Sequence, residues 1–234
     1  MKSDGLNKLG GLCSILVGAS YILIGVLYLL VPAEQQAVSD ATVDAFYRSY
    51  AQSPTLITSY YWVFALGAVV ALGALPAITE SLRSANEGWA RWTSNLAYLG
   101  FAVTAIDFFR IIGLQPLRAE AYLAGDASVR AVLTAPTFTA GLDVNGWLGF
   151  GGVGLWVLVT SLFAMRSKLW PKPLAYVGVA VGVLYWLVVV SLVFDNAALL
   201  QIVAALGGVV AAPIWYIWVG TRLRKAAPMA GGSM

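Results

Sequence analysis

Two side chains stand out chemically: Asp107 and Arg110, set in the apolar run WTSNLAYLGFAVTAIDFFRIIGLQP, residues 92–116. An ionisable group at the centre of a bilayer costs roughly 2.5–3.5 kcal/mol on insertion scales, so such a pair requires compensation. At i, i+3 spacing the two residues share one helix face and can pair with each other. Counting from Trp92, Asp107 lies about 22 Å along a helix, in the outer third of a hydrocarbon core about 30 Å thick. Two chemistries fit this placement. One is a structural ion pair with Arg110 snorkelling to the interface. The other is a proton- or substrate-binding site inside a bundle.

Asp143 and Asn145, at the start of a later apolar run, fall at the same level. So does Asp195, in the tight turn before the last run. The spacing predicts that Asp107 and Arg110 face the bundle interior near Asp143 or Asp195, making Asp107, Arg110, Asp143, Asn145 and Asp195 the candidate ligand or ion-pair site. Each outlying member also has a local reading: Asp143 as a helix cap, and Asp195 with Asn196 as turn formers.

The chain has no histidine and one cysteine, Cys13. The usual haem and zinc ligand and the commonest general base are therefore missing, and no internal disulfide can form. No lysine lies deep in an apolar run to carry a retinal Schiff base. No catalytic residue, metal or cofactor is expected. GFGGVG, residues 149–154, formally satisfies G-x-G-x-x-G. That fingerprint needs a preceding strand and an acidic residue about 20 positions later. Here the glycines are embedded in an apolar helix, so Gly149, Gly151, Gly152 and Gly154 are read as a helix-packing seam, as are Gly178 and Gly182.

The elements that must position these residues follow from composition. The chain is 60% hydrophobic and only 11% charged, with a mean hydropathy of +0.80 over 234 residues. Soluble domains carry about 25% charged residues. Six runs, near 8–31, 57–80, 92–114, 143–165, 173–194 and 198–222, reach the roughly 20 residues that a helix needs to cross a membrane. The expected fold is all-α: a six-helix transmembrane bundle forming a single domain over 1–225, with 226–234 as a disordered cytoplasmic tail. The first run is too long for a cleaved signal peptide and is read as a retained span. Between spans, residues 32–56 predict a short interfacial helix capped by Ser39 and carrying Val43, Phe46, Tyr47 and Tyr50. Residues 115–142 predict a second surface-lying helical segment.

The net charge is +3, but the basic residues sort by membrane side rather than forming a nucleic-acid patch. Lys2, Lys8, Arg83, Arg91, Arg166, Lys168, Lys172, Arg222, Arg224 and Lys225 fall on the side of the termini, and Arg48, Arg118 and Arg130 opposite. This pattern predicts both termini in the cytoplasm and a multi-pass protein of the plasma membrane.

An internal repeat is visible at a constant offset: Trp92, Leu96-Ala97-Tyr98 and Gly100 recur as Trp170, Leu174-Ala175-Tyr176 and Gly178. The second and third spans thus form a hairpin repeated by the fourth and fifth, related by an axis along the membrane normal. Tyr185 and Val188 stand where the first copy has Asp107 and Arg110. The charged pair departs from the repeat.

The sequence GWLGFGGVGLW, a basic turn, and then LWPKPLAYVGVAVGVLYWL resembles the last third of bacterial six-span membrane proteins grouped as a domain of unknown function. The resemblance covers mainly residues 141–190 and implies the six-span architecture. It implies no activity. The expected function is a non-catalytic membrane bundle, acting as an accessory subunit or holding a lipid or small hydrophobic ligand. A small proton-coupled transporter using Asp107 and Arg110 is the alternative. Expected partners are membrane lipids, with other membrane subunits or a second copy of the chain as candidates and no nucleic acid.

Overall fold

Long apolar sequence with no period-2 alternation has one way to satisfy its backbone in lipid, namely continuous helix. The computed structural model describes residues 2–36, 42–135 and 141–226 and is helical through almost all of them. The helices are α1 (Lys2–Leu30), α2 (Val43–Gln52), α3 (Thr55–Leu82), α4 (Glu87–Ala124), α5 (Ala127–Thr134), α6 (Trp147–Arg166), α7 (Lys172–Val193) and α8 (Ala197–Lys225). Six of them, α1, α3, α4, α6, α7 and α8, are long and apolar enough to cross a membrane.

Each span packs on the next in chain order, and α8 returns to pack along α1, closing a ring of six. Small residues set the closeness of this contact. Gly11 of α1 lies against the Gly220 carbonyl of α8, so close that a Cβ there would come within 2.7 Å of it. The same contact puts the start of α1 beside the end of α8, so the first and last described residues lie at one end of the bundle, called the terminal end below. The centre is filled by Leu75, Ile78, Val153, Trp156, Val157, Leu174, Val181, Tyr185, Trp215 and Tyr216, each no more than 1% exposed.

The opposite end, called the loop end below, carries α2 and α5. Thr42 caps α2 by accepting from the Ala45 N–H at 3.2 Å; Ser39, the expected cap, lies outside the described residues. Tyr47 and Tyr50 of α2 are buried, and Tyr47 stacks on Tyr122 of α4 with ring centroids 4.4 Å apart. The amphipathic segment packs onto the loop end of the bundle through these tyrosines. Asp126 caps α5, accepting from the N–H groups of Ser128 and Val129. These hydrogen bonds, the Ser128 hydroxyl first, hold its carboxyl below the usual carboxylate range.

Two span boundaries are corrected. The third span was expected to end near 114, with a separate surface segment from 115. Instead α4 runs on through Pro116 to Ala124. Proline removes one N–H and crowds the carbonyl four residues back. The continuing turns are nevertheless held by Gln115, Ala119 and Tyr122, which are buried against the loop-end layer. The fourth span begins at Trp147 rather than 143, because 142–145 forms a turn and Gly146 adopts a left-handed φ of 69°. The first six residues of α6, Trp147–Gly152, and residues Ala205–Ala211 of α8 are wound as π-helix, one residue per turn looser than α-helix. The second of these lies just before Pro213, whose ring would crowd a normal α-turn at Val209. Of residues 226–234, expected as a disordered tail, Ala226 instead ends the last helix, and 227–234 lie outside the described residues.

Candidate functional site

α4 brings Asp107 and Arg110 to the loop end on one face, and the i, i+3 ion pair forms: Arg110 Nη2 lies 3.1 Å from Asp107 Oδ1. The side chains are 16% exposed for Asp107 and 29% for Arg110, so the pair sits at the margin of the bundle rather than sealed within it. The other carboxylate oxygen, Asp107 Oδ2, accepts from the backbone N–H of Leu142 at 2.8 Å. Gly141 permits this approach, since a Cβ at that position would come within 2.7 Å of Oδ2. Asp107 is therefore ion-paired along its own helix through Oδ1, which makes no hydrogen bond among the described residues, and hydrogen-bonded through Oδ2 to the turn that leads into α6.

Asp143 performs a parallel task one step further along. Its Oδ2 accepts from the N–H of Leu148 at 2.8 Å and of Gly149 at 2.7 Å. At the start of a helix these donors have no partner inside the helix itself, and the π-wound turn leaves them pointing at the preceding loop. Gly149 is flanked by Asp143 and by Thr104 of α4. A Cβ on it would lie 3.5 Å from Asp143 Oδ2 and 3.2 Å from Thr104 Oγ1. Thr104 is one turn before Asp107, so the Asp143 carboxylate sits on the same seam between α4 and α6 as the ion pair.

The remaining predicted residues separate. Asn145 lies in the 142–145 turn. Asp195 is exposed in the turn after α7, at a φ of 49°, and Asn196 caps α8 by accepting from the Leu199 N–H at 3.0 Å. Among the described residues no hydrogen bond or ion pair ties Asp195 to Asp107.

The glycines of α6 make close contacts. Gly152 faces the Leu96 carbonyl of α4, and Gly154 faces Tyr185 of α7; added Cβ atoms would come within 3.1 and 2.8 Å. On the α4 side, Gly100 lies against the Leu148 carbonyl so closely that any Cβ would collide with it. Gly182 packs on the Leu158 side chain and the Gly154 carbonyl, and Gly178 receives Ser161 of α6 and Trp215 of α8. Gly151 is looser, its nearest neighbour being 3.5 Å from an added Cβ. At both copies of the repeat, the glycine two residues after Leu-Ala-Tyr is packed too tightly by a neighbouring span to accept a Cβ.

Sequence reasoning missed a buried aromatic and polar group at the centre of the ring. Trp156, Trp215 and Tyr216 form a chain of edge-on contacts, Trp156 to Trp215 at 5.7 Å and Trp215 to Tyr216 at 4.8 Å. Tyr21 stacks on Tyr216 at 5.9 Å. Trp156 Nε1, Ser161 Oγ, Trp215 Nε1 and Tyr216 Oη are buried without a hydrogen bond to the described protein. In an apolar run, tryptophan and tyrosine read as interface anchors, and only the ring closure shows that these point inward.

A protein-family model described as a domain of unknown function, DUF4386, matches residues 16–220. No curated protein and no solved structure matches the chain.

Proposed function

The chain belongs to the DUF4386 family, and from that premise we propose that it is a non-catalytic membrane bundle, an accessory subunit or a holder of a lipid or small hydrophobic ligand. The observation that carries this reading is the occupation of the carboxylates on the α4–α6 seam. Asp107 is ion-paired with Arg110 through one oxygen and accepts the Leu142 N–H through the other, and Asp143 is bonded to two backbone N–H groups. Carboxylates spent in this way orient helices, whereas a general acid or base needs a free proton site facing a substrate. The glycine seams support the same reading, since they present close-packed, shape-specific helix surfaces.

We further propose that the end bearing both termini is cytoplasmic and that the membrane is the plasma membrane. Support comes from the ten lysines and arginines at that end against three at the loop end outside the span.

A second reading has its own support. Asp107 and Arg110 keep partial exposure at the loop end, so a proton or anionic solute can reach them, as a small proton-coupled transporter requires.

A density map of the protein purified in mild detergent separates the two. A bound lipid, a hydrophobic ligand or a companion membrane subunit is the expected result. Proton-coupled solute uptake by reconstituted vesicles, abolished in Asp107→Asn, would overturn it in favour of transport.

A further inference from the structure

At the terminal end, an open groove lies between the start of α4 and the end of α6. One lobe, about 260 Å³, is lined by Trp89, Val159, Leu162, Phe163 and Arg166. The other, about 330 Å³, lies on the far side of Trp89 against Gly88 and Trp92. Trp89, which lines both lobes, and Trp92 are 49% and 50% exposed and meet edge-on at 5.4 Å. The groove is apolar along its length and ends in a cation.

The charges around it are unequal. The terminal end carries ten basic residues but only three acids, Asp4, Glu80 and Glu87. All three acids are already engaged: Asp4 by Lys8 at 2.9 Å, Glu80 by Arg83 at 3.7 Å, and Glu87 by Arg83 and Arg91 at 3.1 and 2.7 Å. Arg166 makes no ion pair among the described residues. An exposed guanidinium lining a mostly apolar crevice beside Trp89, at the end of a membrane-length helix, matches a phosphate with an acyl chain attached.

We propose that the α4–α6 groove binds an anionic phospholipid, its phosphate held by Arg166 and its upper acyl chain lying along Leu162, Val159 and the face of Trp89. This assignment rests on the lipid-holding reading above and supplies its site and its lipid class. Zwitterionic lipids carry the same chains and phosphate, but their own cation competes with Arg166. The unpaired positive charge of this end therefore selects for a net negative headgroup.

The test uses the full chain, purified in mild detergent, stripped of lipid, and titrated separately with phosphatidylglycerol and phosphatidylcholine of identical acyl chains. Bound lipid is counted by native mass spectrometry. The expected result is saturable, preferential binding of phosphatidylglycerol. It should be weakened about fivefold by Arg166→Gln, largely kept by Arg166→Lys, and unchanged by Arg222→Gln, which removes an equal charge from α8 at the same end. Equal binding of the two lipids overturns the headgroup assignment and leaves lipid binding itself intact. Equal weakening by Arg166→Gln and Arg222→Gln overturns the site in favour of general surface charge. No retained lipid at all overturns both this inference and the lipid-holding reading. If Arg166→Gln does not fold, the comparison of the two lipids on the unmodified chain still decides.

Discussion

Asp107 shows how an acid within an apolar span can be accommodated. It is bonded within its own helix to Arg110 and across to the backbone of Leu142, so it joins α4 to the approach of α6. Removing either partner has unequal consequences. Asp107→Ala leaves the Leu142 N–H without its acceptor and removes the ion pair with Arg110, and should destabilise the bundle by about 1–3 kcal/mol. Arg110→Gln leaves Asp107 its backbone donor and should cost less, because both side chains are partly solvated. Thermal unfolding in detergent of the two single variants and the double variant should show the double close to Asp107→Ala alone. Strict additivity would mean that the two residues are not coupled. The pair itself was legible in the sequence, since i, i+3 charges in an apolar run have few other uses. Its backbone partner was not, because Leu142 contributes an N–H that no side-chain pattern announces. Asp195 was grouped with the pair on membrane depth alone, and depth does not specify position around the ring.

Among the elements, glycines that look alike in sequence occupy very different surroundings. Gly100 has the Leu148 carbonyl where a Cβ would go, whereas Gly113, on the same helix, has nothing within 4 Å. Gly100→Ala should therefore force α4 and α6 apart at a cost of about 1–3 kcal/mol. Gly113→Ala should be neutral or stabilise by up to about 1 kcal/mol, through the better helix propensity of alanine. Melting temperatures of the two variants check this, and equal shifts would contradict the packing described. Span number and approximate limits were readable because hydropathy over about 20 residues is a strong signal. The continuation of α4 past Pro116 was hidden because proline locally argues for a break, while burial of Ala119 and Tyr122, which holds the helix together, is a tertiary effect. The π-wound turns had no local signature; the glycines within Trp147–Gly152 were read for packing alone.

On the scale of the whole molecule, the closed ring explains the repeat. Two copies of a hairpin, α3–α4 and α6–α7, with α8 and α1 completing the circle, place equivalent glycines at successive helix contacts. The ring also holds its two ends at different charge, and the proposed orientation can be read directly. With Cys13 replaced by alanine, cysteine at position 126, exposed in the loop-end connection, should react with an impermeant reagent added to intact cells. Cysteine at position 168, exposed between α6 and α7, should react only after the membrane is opened. The reverse pattern would invert the assignment of sides.

The loosely wound start of α6 bears on how this chain tolerates changes in length. In an α-helix, deleting one residue turns everything beyond it by about 100°, which in a close-packed ring would swing buried faces out to lipid. A π-wound stretch already holds one residue more per turn than the α-form needs. A deletion there is absorbed by tightening the winding, and the rest of the span keeps its facing. Gly151, the least crowded of the α6 glycines that face a neighbour, is the natural residue to lose. Deleting Gly151 should leave a folded protein that elutes as the parent does in size-exclusion chromatography, whereas deleting Val157, four residues into the regular helix and fully buried, should abolish folding. The π-turn thus acts as slack in a close-packed ring, a place where the gene can shorten by one codon without changing which side of the helix meets its neighbours.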